Sequence, residues 1–175
     1  MQITNQLIYI QWDGPFLLEK INEFTDETDF GIYQIYGGHP VYGPDVLLYI
    51  GQATWQKFSQ RIPQHNWHLV SNIGTVRVYR GRLAGDVTPS RDDWNKRIDL
   101  AERLLIYAHY PTYNTQKEKF GSDPNIQNIH VVNLGSYGSL LPEVSGTRWA
   151  ETLSLPPNYD FFDTRKIQPE APTQP

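Results

Sequence analysis

The stretch FGIYQIYGGHPVYGPDVLLYIG, residues 30–51, decides the fold of this chain. Its two ends, residues 30–36 and 46–50, are rich in the aromatic and β-branched side chains that favour strands. Between them, the GGHP and GPD segments within residues 37–45 carry the glycine and proline that mark turns. We therefore expect a β-hairpin closed by a long loop over residues 37–45.

Apolar periodicity outside the hairpin predicts the other elements. Residues 5–12 indicate a strand, and the Asp-Gly-Pro turn that follows them predicts a helix over residues 16–24. Two further helices are expected. The helix at residues 53–62 has an apolar stripe of Trp55, Phe58 and Ile62, and the helix at residues 90–109 has one from Trp94 to Ala108. Two further strands are expected, at residues 74–80 and 129–134.

These elements predict an α+β protein with a small three-stranded antiparallel sheet flanked by helices. The core is expected at residues 30–114, preceded by an N-terminal strand–helix extension at residues 1–29. Residues 115–166 are expected to form a C-terminal extension that packs on this core. The proline-rich residues 167–175 are expected to be a disordered tail.

The composition narrows the functional classes. The chain has 175 residues and no cysteine, which excludes a disulfide scaffold, a thiolate zinc site and a cysteine nucleophile. The first residues lack the basic and apolar segments of a signal peptide, and no stretch approaches the roughly 18 apolar residues of a membrane span. We expect a cytoplasmic protein that does not associate with membranes.

Charge is unevenly distributed along the chain. The formal net charge is -4, yet residues 57–103 carry nine basic side chains against five acidic ones. A basic middle between acidic flanks is compatible with a local face that binds phosphate groups. A solvated charged surface with no ligand is the alternative interpretation.

The two tripeptides Gly31-Ile32-Tyr33 and Tyr49-Ile50-Gly51, each on a predicted strand, resemble the motifs that name the GIY-YIG nuclease superfamily. The family's arginine, glutamate and asparagine then follow in order, and we match them to Arg61, Glu102 and Asn114. His65 matches a histidine of the family's restriction-enzyme branch. The resemblance spans residues 30–114 and implies the GIY-YIG fold. The fifteen residues between the tripeptides are more than is usual in the family.

The resemblance implies hydrolysis of phosphodiesters with one Mg²⁺ or Mn²⁺ ion. Glu102 would hold the ion, which would act as a Lewis acid on the leaving group. Arg61 would bind the non-bridging phosphate oxygens. Tyr33 is the favoured general base; because nearby cations would lower its pKa, a basic pH optimum is expected. Tyr49 would position the water and phosphate.

Two further residues complete the catalytic set that the resemblance implies. His65 would contact phosphate or relay a proton. Asn114 would hold Glu102 or the metal-bound water by a hydrogen bond. The expected contacts to nucleic acid come from Lys57, Arg61, His65, Arg80 and Arg82. Each of these side chains also has a purely structural interpretation. Tyr110, Tyr113 and Trp67 are candidates for stacking on bases, or else pack in the core.

The resemblance thus implies an endonuclease that leaves 5′-phosphate and 3′-hydroxyl ends. DNA is the favoured substrate, and RNA stays open as an alternative. A structure-selective repair nuclease is an alternative within the same class. A catalytically silent module that binds nucleic acid or protein is an alternative from another class. The target and the oligomeric state stay open.

Overall fold

The computed structural model describes residues 6–65, 74–114 and 125–149. Trp67 and the predicted tail at residues 167–175 therefore lie outside the described residues. The described residues form six strands: β1 (Gln6–Leu17), β2 (Gly31–His39), β3 (Gly43–Ala53), β4 (Arg77–Ala84), β5 (Ile129–Gly135) and β6 (Glu143–Ser145). They also form two α-helices, α1 (Phe58–Arg61) and α2 (Arg91–His109), and 3₁₀ turns at Leu18–Glu23, Ile62–Gln64 and Gly146–Trp149.

All six strands belong to one curled sheet in the order β3-β2-β4-β1-β5-β6. Strands β1 and β5 are parallel, and every other neighbouring pair is antiparallel. The α+β class is correct, but the predicted small three-stranded sheet of the GIY-YIG fold is wrong. The sheet does not stop at β4 because β1 pairs along both edges, with β4 on one side and β5 on the other.

The N-terminal segment is a long strand and not a strand followed by a helix. Ile8, Ile10 and Trp12 are buried, and the residues between them are exposed, which is the alternation of a half-buried strand. β1 then continues past an irregularity in pairing between Asp13 and Phe16, and Phe16 lies opposite Val78 of β4. The predicted helix over residues 16–24 is therefore replaced by the end of β1 and a 3₁₀ turn.

The hairpin that decides the fold is longer than predicted. β2 runs to His39 and β3 begins at Gly43, so only residues 40–42 connect them. The glycine-rich residues 37–45, expected as a loop, mostly extend the two strands through shifts in register after Ile35 and Gly37. Such bulges add residues to a strand without ending its pairing.

Helix α2 is the element that the sequence predicted best. Ser90 caps it by accepting a hydrogen bond from the Asp93 backbone, as a helix N-cap does. Its apolar stripe packs on the sheet, and Ile98, Ala101 and Leu105 are all completely buried. In the described residues, no helix is both long enough and apolar enough to cross a membrane.

The opposite face of the sheet carries a second core. The predicted helix over residues 53–62 shrinks to α1 and the following turn, since β3 extends to Ala53. Phe58 and Ile62 are buried in this core as expected. Trp55, expected on the same apolar stripe, is instead 79% exposed because it precedes the helix.

His109 at the end of α2 ties the helix to the segment between β5 and β6. Its Nδ1 donates to the Leu105 carbonyl and its Nε2 accepts from the Leu141 backbone N–H, each over 2.9 Å. Only the neutral ring can make both bonds, because a protonated Nε2 is a donor. Burial lowers the pKa of His109, although the bond to Leu105 opposes this.

We predict that this contact makes the chain less stable in acid. A histidine whose pKa is lowered by folding contributes stability above its unfolded value of about 6.5, and loses it as the pH falls through the folded value. The free energy of unfolding in urea should fall between about pH 7.5 and about pH 5.5. This fall should be about 1 kcal/mol smaller in His109→Gln than in the wild type. An identical loss in both proteins would contradict this role.

Candidate functional site

The register of the hairpin brings the two motif tyrosines together. Tyr33 of β2 lies directly opposite Gly51 of β3, and Tyr49 projects from the same face two residues earlier. The ring centroids of Tyr33 and Tyr49 are 6.0 Å apart. A Cβ atom on Gly51 would lie 2.5 Å from the Tyr49 ring and 2.7 Å from the Tyr33 hydroxyl. The glycine of the second tripeptide therefore makes the space that both rings fill.

The glycine of the first tripeptide has a different physical reason. Gly31 has a φ of +148°, a conformation that side-chain-bearing residues rarely adopt. A Cβ atom there would lie 2.2 Å from the Gly81 carbonyl oxygen of β4. Gly31 thus lets the start of β2 approach β4, which keeps Tyr33 in the interior of the sheet.

Tyr33 lies on the predicted strand, but its pKa is raised and not lowered as expected. The side chain is fully buried, and burial raises the pKa of Tyr33 well above its ordinary value. The Arg61 guanidinium lowers this pKa, as predicted for a nearby cation, yet it does not outweigh burial. The Arg61 guanidinium interacts with the Tyr33 hydroxyl, but in the described residues this hydroxyl makes no well-aligned hydrogen bond, which a bound water or phosphate oxygen would supply.

Tyr49 and His65 form the second pair of rings, with centroids 5.1 Å apart. Burial raises the pKa of Tyr49, and the nearby Glu102 carboxylate adds to this effect. Burial, and then the Arg61 charge, lower the pKa of His65. The imidazole is consequently neutral near pH 7, which suits it to accept a proton better than to attract phosphate.

Arg61 lies at the end of α1, where its Nη1 donates to Gln64 Oε1 over 3.0 Å. Its positive charge lowers the pKa of both tyrosines and of His65. It also lines a cleft of about 520 Å³. This arginine is the cation around which the candidate site is arranged.

Glu102 approaches the same region from α2 and is only 3% exposed. Gln52 Nε2 donates to Glu102 Oε2 over 2.9 Å and to Asp99 Oδ1 over 3.4 Å. Because β3 is the edge strand, Gln52 on one face and Tyr49 on the other border the same margin of the sheet. Strand β3 therefore carries Tyr49 on one face and, on the other, the Gln52 side chain that bonds to the carboxylates of α2.

Glu102 and Asp99 are the residues of the site that could hold a single hard cation. An amide N–H₂ group that bridges two carboxylates occupies the kind of position that a cation takes. No group of three or more His, Asp or Glu side chains gathers at one point in the described ranges. An ion here would rest on Glu102, with Asp99 one helical turn earlier, and on water, which is how Mg²⁺ is usually held.

Asn114 has a different role from the one expected. Its Nδ2 donates to the Ile50 carbonyl over 2.8 Å and its Oδ1 accepts from the Ile50 N–H over 2.9 Å. The backbone of Tyr113 continues this pairing by donating to the Leu48 carbonyl. Asn114 therefore closes the edge of β3 as a short strand would. These two bonds hold the backbone between Tyr49 and Gly51 in place. Because both atoms of the Asn114 amide bond to Ile50, they do not bond to Glu102.

The other predicted contacts to nucleic acid are held by acidic neighbours. Lys57 Nζ lies 2.9 Å from Glu27 Oε1 and also donates to the Thr25 carbonyl. Arg80 Nη1 lies 2.6 Å from an oxygen of the buried Asp29, and Arg82 Nη2 lies 2.6 Å from Asp13 Oδ2. These three charges are neutralised locally, which leaves Arg61 and His65 as the predicted contacts placed beside the tyrosines.

Comparison of the chain with known protein families, curated proteins and solved structures finds no match. What the site can do is therefore judged from its own chemistry.

Two residues of the site were missed or undervalued in the sequence. Asp99 lies three residues before Glu102, a helical spacing that places two carboxylates on one face and that was available as a signal. Gln52, which follows the second tripeptide directly, links both of them to the hairpin. A glutamine carries no periodic or charge signal, so only the three-dimensional contact reveals it.

We predict that Gly51→Ala disrupts the site by forcing the two tyrosine rings apart. Overpacking of this kind costs about 1–3 kcal/mol, so the free energy of unfolding should fall by that amount in urea. Gly85→Ala is the matched control, because a Cβ atom there meets only the Val87 carbonyl at 3.9 Å. Equal stability of the two variants would refute the packing role of Gly51.

Proposed function

We propose that this chain is a metal-dependent endonuclease that hydrolyses phosphodiester bonds, with DNA preferred over RNA as its substrate. The observation that carries the proposal is the placement of Tyr33, Tyr49, Arg61 and Glu102 around the edge of β3. The two tyrosine rings lie with centroids 6.0 Å apart, and Arg61 lines the cleft together with Gln52, which donates to Glu102. The resemblance of these residues to the GIY-YIG nucleases supports the same chemistry, although the sheet around them differs from that fold.

Hydrolysis needs charge stabilisation on the phosphate and help for the leaving 3′-oxygen. Arg61 presents a planar fork of donors that matches two non-bridging phosphate oxygens. Glu102, with Asp99 beside it, would hold one Mg²⁺ or Mn²⁺ ion, and that ion supplies Lewis-acid assistance to the leaving oxygen. Gln52 would release its bond to Glu102 when the ion binds.

The pKa shifts of Tyr33 and His65 favour His65 over Tyr33 as the general base. Tyr33 stays protonated because burial raises its pKa, so its hydroxyl orients the attacking water and does not ionise beforehand. His65 is neutral and stands against Tyr49, so it can take the proton that the water loses. The water oxygen would then bond to phosphorus while the bond to the 3′-oxygen breaks. The departing 3′-oxygen would take a proton from solvent water, so the products carry a 5′-phosphate and a 3′-hydroxyl.

The substrate is held mainly at the cleft and not by a broad basic face. Lys57, Arg80 and Arg82 are paired with acids, so few of the basic side chains in residues 57–103 add to a phosphate track. The absence of cysteine suits a cytoplasmic nuclease.

We predict that the wild-type chain cleaves plasmid or single-stranded DNA only when Mg²⁺ or Mn²⁺ is present. Glu102→Gln keeps the side-chain shape but loses the ligand charge, and should lower the cleavage rate at least about 100-fold. Gel assays with Mg²⁺, with Mn²⁺ and with a chelator measure this directly.

Glu143→Gln is the matched control, because this glutamate lies on β6 with a side chain 63% exposed. It should cleave at the wild-type rate. A wild type that cleaves neither substrate with either metal would reject the nuclease and favour a catalytically silent module. Cleavage that survives Glu102→Gln in full would move the site elsewhere.

A further inference from the structure

Trp55 is a large aromatic side chain at an unexpected place on the surface. It is 79% exposed, although tryptophan is highly buried on average. It lines the same cleft as Gln52 and Arg61, so it stands beside the groups proposed to act on phosphate. Its position is not explained by packing, since the core formed by Phe58 and Ile62 is complete without it.

Arg91 holds the segment that carries this ring. The Arg91 guanidinium donates to the Thr54 carbonyl, immediately before Trp55, and its Cζ lies 5.5 Å from the Trp55 ring centroid. The same guanidinium is 5.1 Å from the Trp94 ring and 5.8 Å from the Phe30 ring. Cation–π contacts of this kind favour a fixed orientation of the exposed ring. A platform that is already ordered loses little entropy when a flat ligand stacks on it.

We propose that Trp55 is a stacking platform for an unpaired base of single-stranded nucleic acid, next to the phosphate bound at Arg61. This inference rests on the proposed function. An exposed indole beside a guanidinium is the combination that single-strand binding surfaces use, because every base has a π-face and every nucleotide a phosphate. The cleft of about 520 Å³ is within the range of ligand sites, roughly 300–1,000 Å³.

The base must be unpaired because stacking neighbours cover both faces of a base within a duplex. Asn95 adds a polar group to the cleft, and in the described residues its Oδ1 has no hydrogen-bond partner. A base edge or a water beside the base would satisfy it. The cleft therefore selects for single strands or for junctions and distortions that expose a base. This favours the structure-selective nuclease over one that reads intact duplex.

Binding measured without metal tests the platform separately from catalysis. Fluorescently labelled oligothymidylate of about ten nucleotides is titrated with protein in a chelator, and a blunt duplex of the same length is titrated in parallel. Loss of one stacked base costs about 1–3 kcal/mol, so Trp55→Ala should weaken single-strand binding by about 5- to 150-fold. Trp55→Phe should recover most of the affinity, and neither substitution should alter duplex binding.

Tyr42→Ala is the matched control, because this aromatic side chain is 67% exposed at the hairpin tip. It should bind the single strand as the wild type does. Equal affinity of Trp55→Ala and wild type for the single strand would overturn the proposal. So would equal weakening on both substrates, or a wild type that does not bind oligothymidylate. A wild type that binds through Trp55 but never cleaves DNA would refute the nuclease function alone.

Discussion

The contact of Gly51 with two tyrosine rings is the constraint on which the site depends. A sheet places opposite residues of neighbouring strands about 5 Å apart, so one position without a side chain leaves room for two aromatic rings on the same face. The register that sets Tyr33 against Gly51 also turns Gln52 to the other face, toward α2. A slip of one residue would send every one of these side chains to the wrong face.

Burial and the Arg61 charge have opposite effects on the pKa of Tyr33 and of Tyr49, and the effect of burial is the larger. A tyrosine surrounded by apolar side chains resists ionisation, and the single Arg61 charge reduces this resistance without cancelling it. Burial also lowers the pKa of His65, which favours the neutral imidazole. In the proposed mechanism the site separates its tasks: protonated hydroxyls would orient oxygen atoms, an imidazole would accept a proton, and a carboxylate on a helix would bind a cation.

Local patterns predicted part of the local structure. The hairpin strands, helix α2 and its Ser90 cap follow from periodicity and capping, which act within a few residues of each other. The pairing of β1 with β5 joins Gln6 to Ile129, and nothing in either segment alone specifies it. The predicted three-stranded sheet failed for this reason.

The order of the motif residues along the chain indicated which side chains belong to the candidate site. It did not indicate what each of them contacts. Tyr33 and Tyr49, chosen from sequence, lie with ring centroids 6.0 Å apart, and Arg61 lines the cleft with Gln52, which donates to Glu102. The commitment of Asn114 to the Ile50 backbone, the exposure of Trp55 and the ion pairs of Arg80 depend on distant neighbours. Sequence spacing carries no information on such contacts.

The chemical identity of the cleaved ends tests the account most directly. End-labelled DNA is incubated with the chain and Mg²⁺, and the new termini are analysed by susceptibility to phosphatase, ligase and polymerase. Water attack on phosphorus with departure of the 3′-oxygen predicts 5′-phosphate and 3′-hydroxyl ends, which DNA ligase can rejoin when they are held adjacent. Fragments that end in a 3′-phosphate, or ends that form without metal, would contradict it.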